Sequence, residues 1–186
     1  MNETLRNIKE RYSCRDFEER LPSEELLTAI SQAAIQSPSG MNRQFWHIIV
    51  VTNNELIAEM EQEAGKNLRN LSESFYQHIM SQNGNIFYNA PCMVFFAVKT
   101  AEPPGAELID LGVVAQTTVL AATSLGLASL HCGNVAFAFA GTKNEYFKDK
   151  LGFPVGYECG MAVLLGYAKS IGIPHELDQS KILYIK

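Results

Sequence analysis

Hydrophobic positions along the chain follow two rhythms. In the first, apolar residues recur every three or four positions, the period of a helix with one buried stripe. Residues 2–12 carry it with Leu5, Ile8 and Tyr12 on one face. The stretch after Ser23 carries it with Leu26, Leu27, Ile30, Ala33 and Ala34. Ser23 suits the N-cap, Glu24 and Glu25 complement the helix dipole, and Pro38 ends the helix. Asn53 or Asn54 caps a third helix running to about Gly65. A more polar helix follows over 66–82, with Leu68, Leu71, Phe75 and Ile79, and Asn83-Gly84-Asn85 breaks it. Residues 106–125 predict a long central helix after the loop Glu102-Pro103-Pro104-Gly105, and 144–151 a short amphipathic one.

In the second rhythm, apolar residues run on without a break. Residues 46–52 hold Ile48, Ile49, Val50 and Val51, and 93–98 read Met-Val-Phe-Phe-Ala-Val behind Pro91. Residues 127–132 and 159–167 complete the set. Short apolar runs of this kind predict strands buried on both faces. Helices and buried strands alternate without evenly spaced hairpins, so the class is α/β or α+β, with a helix-covered sheet and one domain over 1–186. The tail after 168 shows little periodicity beyond Ile182, Leu183, Tyr184 and Ile185, an apolar end suited to packing on another subunit.

Charge narrows the function classes. With 15 basic and 20 acidic residues the net charge is −5, against non-specific nucleic-acid or anionic-membrane binding. Residues 111–132 hold no charged side chain and are long enough to cross a bilayer. Gln116, Thr117, Thr118, Thr123, Ser124 and Ser129 interrupt the run, and no basic cluster flanks it. It reads as a buried helix followed by a strand, and no membrane is expected. The N-terminus lacks a signal-peptide core. Cys14, Cys92, Cys132 and Cys159 form no CxxC pair, which suits reduced thiols in a cytoplasm.

Three clusters could carry chemistry. Arg11-Tyr12-Ser13-Cys14-Arg15 sets two guanidinium forks and a hydroxyl where the first helix stops, a donor set suited to a cofactor phosphate. A solvated basic turn would carry the same residues. Pro38-Ser39-Gly40-Met41-Asn42-Arg43-Gln44 places neutral donors and acceptors on one loop, and amides of this kind read planar heterocycles. Leu127-Ala128-Ser129-Leu130-His131-Cys132-Gly133-Asn134 follows the long helix, with a glycine that admits close backbone approach. No metal site is expected. GFPVGYECG over 152–160 precedes its strand, so it fails the structural test for a dinucleotide loop.

Taken in order, these segments resemble the nitroreductase family. The carrying motifs are Arg11-x-Ser13-x-Arg15-x-Phe17 and Ser37-Pro38-Ser39-Gly40-x-Asn42-x-Gln44-x-Trp46. Leu125-Gly126-Leu127-Ala128-Ser129 is similar to the family's LGLGS segment, and Leu164-Leu165-Gly166-Tyr167 to its terminal GY. The resemblance spans about residues 1–170. It implies an α+β fold, a three-layer α/β/α sandwich with a mostly antiparallel sheet and a long central helix.

The resemblance also implies an FMN cofactor, NADH or NADPH as electron donor, and a nitroaromatic, quinone or similar small-molecule acceptor. By the same resemblance Arg11, Tyr12, Ser13 and Arg15 bind the phosphate and ribityl groups, and Lys169 completes the phosphate site. Pro38, Ser39, Gly40, Asn42 and Gln44 reach the flavin from the partner of a homodimer. Leu130, His131, Cys132 and Gly133 offer backbone to the ring system. No catalytic side chain is implied. A different flavin enzyme on the same scaffold, or a flavin-binding protein without turnover, carries the same motifs. Three departures stand out. Phe45 occupies the place of the family's usual proline, Lys169 is followed by Ser170 rather than a second base, and 66–90 holds no lid motif.

Overall fold

The computed structural model describes residues 1–101 and 104–186. Glu102 and Pro103 of the expected loop lie outside the described residues. Four strands, β1 (Trp46–Val51), β2 (Cys92–Lys99), β3 (Ala128–Cys132) and β4 (Tyr157–Gly166), form one sheet in the order β1-β2-β4-β3. All three pairings are antiparallel.

Side chains of the two inner strands alternate between two cores, as the pleat demands. Met93, Phe95, Ala162 and Leu164 face one side. There they meet α3 (Asn54–Leu71), α4 (Glu73–Asn83), α6 (Asn144–Leu151) and a 3-10 segment over Gly133–Phe139. Cys92, Val94, Phe96, Val163 and Leu165 face the other. There they meet α2 (Glu24–Ile35) and α5 (Ala106–Ser124). The result is the three-layer sandwich, with α5 as the long central helix.

Local chemistry explains the helix ends. Asn2, Ser23, Asn53 and Ser72 each accept a backbone N–H from the first turn of α1 (Glu3–Glu10), α2, α3 and α4. In the apolar α5, Thr117, Thr118 and Thr123 donate to the carbonyls of Val113, Val114 and Val119 at 2.8–2.9 Å. Those bonds satisfy the hydroxyls inside the fold.

Four expectations are corrected. The third helix does not end near Gly65; α3 runs through it to Leu71, because Gly65 lets Ile86 pack closely and a Cβ there would stand 3.3 Å from Ile86 Cδ1. β1 is not buried on both faces. It is a sheet edge, with His47 and Val50 exposed, and neighbour count is not written in a strand's own sequence. α1 stops at Glu10 and buries none of its residues, leaving Leu5 and Ile8 half exposed. The last core strand starts at Tyr157, earlier than 159. The tail after 168 holds no helix or strand apart from a 3-10 turn at Gln179–Lys181, and its apolar residues, including Ile171, Ile173, Leu183 and Ile185, are exposed.

Candidate functional site

Beyond Glu10 the backbone straightens, and Arg11 has φ −58° and ψ 133°. The chain then runs alongside β3, with Ser13 bridging Ser129 in parallel and the Cys14 N–H bonded to the Ser129 carbonyl at 3.0 Å. Cys14 is buried in the core and Tyr12 packs against it. By alternation, Arg11, Ser13 and Arg15 share the opposite face.

The segment is pinned at its far end. Phe17 is fully buried and its N–H reaches the Tyr88 carbonyl at 3.2 Å. The Glu18 N–H reaches the Tyr167 carbonyl at 2.8 Å, and the Lys169 N–H reaches the Asp16 carbonyl at 3.1 Å. Lys169 Nζ lies 3.7 Å from Asp16 Oδ1. Gly166 permits this closeness, since a Cβ there would lie 3.1 Å from the Phe17 ring and 2.9 Å from Pro91. Arg15 bonds the Tyr88 hydroxyl, whose pKa is raised chiefly by burial. Arg11 Nη2 approaches His175 Nδ1 of the tail at 3.5 Å.

A cavity of about 350 Å³ lies on the Tyr12 side of this segment, lined by Glu10, Arg11, Tyr12, Glu18, Ser129 and Tyr167 among others, and Ser13, Arg15 and Lys169 do not line it. The Ser129 hydroxyl is buried with no hydrogen-bond partner. The guanidinium groups of Arg11 and Arg15 and the Ser13 hydroxyl on one short segment, with the Lys169 ammonium held beside Asp16, fit a phosphate. A larger cavity, about 610 Å³, lies between α2 and β1 and is lined by apolar residues such as Leu27, Ile35, Ile48 and Val50. Volume alone therefore does not mark the polar site.

On β3, Leu130 and Cys132 turn their side chains into the core, so only their backbone is available to a ligand. Burial pushes the Cys132 thiol up to about 11, which leaves it protonated and a poor nucleophile. His131 is held below its ordinary pKa, first by burial and then by the positive charge of Arg11. Gly133 is exposed and starts the 3-10 segment.

The 37–44 loop sits elsewhere. Ser39 Oγ accepts the Gln44 N–H at 2.9 Å, and Gln44 Nε2 donates to Asn42 Oδ1 at 2.9 Å. The Gly40 N–H reaches Asp110 Oδ1 of α5 at 3.2 Å. Met41, Asn42 and Gln44 all have left-handed backbone, with φ of 53°, 55° and 48°. Pro38, Gly40, Asn42 and Gln44 are exposed. This loop feeds β1, whereas the arginine segment flanks β3, at the opposite edge of the sheet. Three strand spacings, roughly 14 Å, separate the two edges. One chain thus assembles Arg11, Ser13, Arg15, Lys169 and the 129–133 strand, and holds Ser39, Asn42 and Gln44 apart from them.

Tyr88, Asp110 and His175 are site neighbours that sequence reasoning did not single out, whereas Ser129 closes the Leu125–Ser129 motif. Of these, Asp110 left a signal, as an acidic residue one turn after Glu107 in a largely apolar helical stretch.

Comparison with known proteins identifies the family. The profile of the nitroreductase family matches residues 8–167. A "Putative NADH dehydrogenase/NAD(P)H nitroreductase" of Archaeoglobus fulgidus is 29% identical over 179 residues, covering 96% of this chain and 92% of that protein. One of the same description from Methanothermobacter thermautotrophicus is 28% identical over 133 residues, covering 70% of this chain and 61% of that protein. Among solved structures, a nitroreductase with bound FMN from Desulfitobacterium hafniense DCB-2 is 50% identical and superposes with a TM-score of 0.97, with both chains covered in full. The family match and the fold agree, and the chain belongs to the nitroreductase family.

Proposed function

We propose that the protein is an FMN-dependent oxidoreductase that takes electrons from NADH or NADPH and passes them to a nitroaromatic, quinone or similar acceptor. The observation that carries this reading is the row of Arg11, Ser13 and Arg15 along β3, with Lys169 bonded back to Asp16. The fully covered, 50% identical D. hafniense protein, solved with bound FMN, supports it, as do the names of the curated relatives.

In this reading the guanidinium groups and Lys169 neutralise the phosphate, and Ser13 adds a hydroxyl donor. The backbone of 130–133 lies along the ring system. In the loop, Gln44 spends an amide N–H on Asn42, which leaves Asn42 with amide donors and Gln44 with an amide acceptor. Such a pair complements the alternating carbonyl and N–H groups of a flavin's pyrimidine edge. Bound FMN supplies a carrier that one substrate reduces and the next reoxidises.

Because the loop and the arginine segment sit at opposite sheet edges, a complete pocket takes the loop from a second copy. We therefore also propose a homodimer. The half-exposed apolar residues of α1, the exposed Leu108 and Ile109 of α5, and the apolar tail provide surface for it.

The test is direct. Purified protein is expected to be yellow, to bleach anaerobically with NADH or NADPH, and to recolour with a quinone or nitroaromatic. Protein that stays colourless with added FMN overturns the proposal. Bound FMN without turnover replaces it by a flavin-binding role.

A further inference from the structure

Asp110 stands out among the groups that the proposed chemistry leaves unused. Its residue is only 7% exposed, and the described residues hold just one other carboxylate buried as deeply, Glu63. Glu63 is compensated by Lys66 at 3.3 Å and Asn67 at 3.3 Å. Asp110 bonds one backbone N–H, that of Gly40, through Oδ1, and its buried Oδ2 has no hydrogen-bond partner. A buried carboxylate so thinly satisfied weakens the fold, and a leucine or alanine would suit an apolar helix better.

What Asp110 holds explains its presence. Gly40 opens the turn that carries Met41 and Asn42 in left-handed conformations, and Gln44 follows in the same region. L-residues enter that region reluctantly, and several together persist only where the surroundings fix them. Ser39 Oγ ties one end of the turn to the Gln44 N–H, and Asp110 ties the start of the turn to α5. Neither tie touches the outward amides of Asn42 and Gln44.

We infer that Asp110 is the positioning residue of the cofactor loop, acting on FMN through Gly40 rather than by contact. The inference rests on the proposed function. Asp110 locks the loop to the helix so that Ser39, Asn42 and Gln44 meet the flavin preorganised, and without the lock the loop must be ordered at the expense of binding.

The test uses full-length protein stripped of flavin and titrated with FMN, with affinity read from fluorescence quenching and flavin placement from visible circular dichroism. Asp110→Ala is expected to weaken FMN about tenfold, as for loss of a charge-assisted bond, and to alter the dichroism. Asp110→Asn, whose amide oxygen accepts the same N–H, is expected to recover most of the affinity. Gly40→Pro removes the N–H from the loop side. A Cβ at Gly40 meets nothing within 4 Å, and the residue opens a 3-10 turn, where proline's φ fits. It is expected to match Asp110→Ala, and the double variant to be no weaker than either, because both remove one interaction. If Asp110→Ala does not fold, Asp110→Leu, which suits the apolar helix and also removes the acceptor, carries the test in its place.

Variants that bind FMN with wild-type affinity and dichroism overturn the inference and leave the proposed function standing. Effects that multiply in the double variant also overturn it. Wild-type protein that refuses FMN overturns both.

Discussion

Two residue types decide the polar end of the site. Arg11 and Arg15 project from a segment whose alternate residues, Tyr12 and Cys14, are held by the core. Their replacement by alanine therefore removes charge without opening a cavity. The double variant is expected to lose FMN by at least about a hundredfold in affinity, on the scale of two charge-assisted contacts. Thermal unfolding of the apoprotein is expected to fall only by the loss of the Arg15 bond to the Tyr88 hydroxyl, as differential scanning fluorimetry would show. The thiols set a different limit. Burial pushes Cys92 and Cys159 up to about 12 and Cys132 to about 11. Folded protein keeps these protons where an unfolded chain releases them, so stability is intact below pH 9, the ordinary thiol value, and falls as pH rises toward about 11 to 12. Melting curves between pH 7 and 11 check the slope. Iodoacetamide at pH 8 is expected to spare all three cysteines until denaturant is added, as mass spectrometry would read.

At the scale of elements, close backbone approaches hold the sheet to its surroundings. Gly160 of β4 sits opposite the register shift at Phe96 and Ala97, and a Cβ there would lie 2.7 Å from the Phe96 carbonyl oxygen. Gly160→Ala is expected to cost about 2 kcal/mol in urea unfolding, in the range of overpacked sites. Glu61 does comparable work between elements. Its Oε1 takes the N–H groups of Ile86 at 2.6 Å and Phe87 at 3.1 Å, just before the left-handed Tyr88 and Asn89. Tyr88 in turn receives the Phe17 N–H, so Glu61 on α3 supports the anchor of the arginine segment. Glu61→Ala is expected to cost roughly 1 to 3 kcal/mol by leaving both donors unpaired, again read from urea unfolding.

The elements also show what a sequence can carry. Caps and periodicity are local properties, and Ser23, Pro38 and the stripe through Ile30 placed α2 correctly. The unbroken run of β2 reported two buried faces truthfully because β2 is internal. The equally apolar run of β1 did not, because its place at the edge depends on strand order. Gly65 looked like a stop because glycine is a poor helix former, and the contact with Ile86 that makes it useful comes from 21 residues away. The site divides along the same line. The arginine segment and the amide loop were legible as donor sets. The orphaned hydroxyl of Ser129 and the buried carboxylate of Asp110 were not, since being unpaired is a property of surroundings.

For the whole molecule, the exposed tail and the separated halves of the site make assembly the central question. A chain ending at Ser170 keeps Lys169 and its bond to Asp16 but loses the exposed apolar tail. It is expected to shift toward monomer in sedimentation and to bind FMN more weakly, because the second copy's loop is no longer held in place.

The order β1-β2-β4-β3 sets the arginine segment and the amide loop at opposite margins of one sheet. That separation has a genetic consequence. In the proposed homodimer, a subunit with both arginines replaced and a subunit with Asn42 and Gln44 replaced are each expected to form dead dimers with their own kind. In a mixed dimer, one pocket collects both defects and the other none. Coexpression of the two inactive chains is then expected to restore about a quarter of the wild-type sites, the share that random pairing of a two-fold dimer leaves intact.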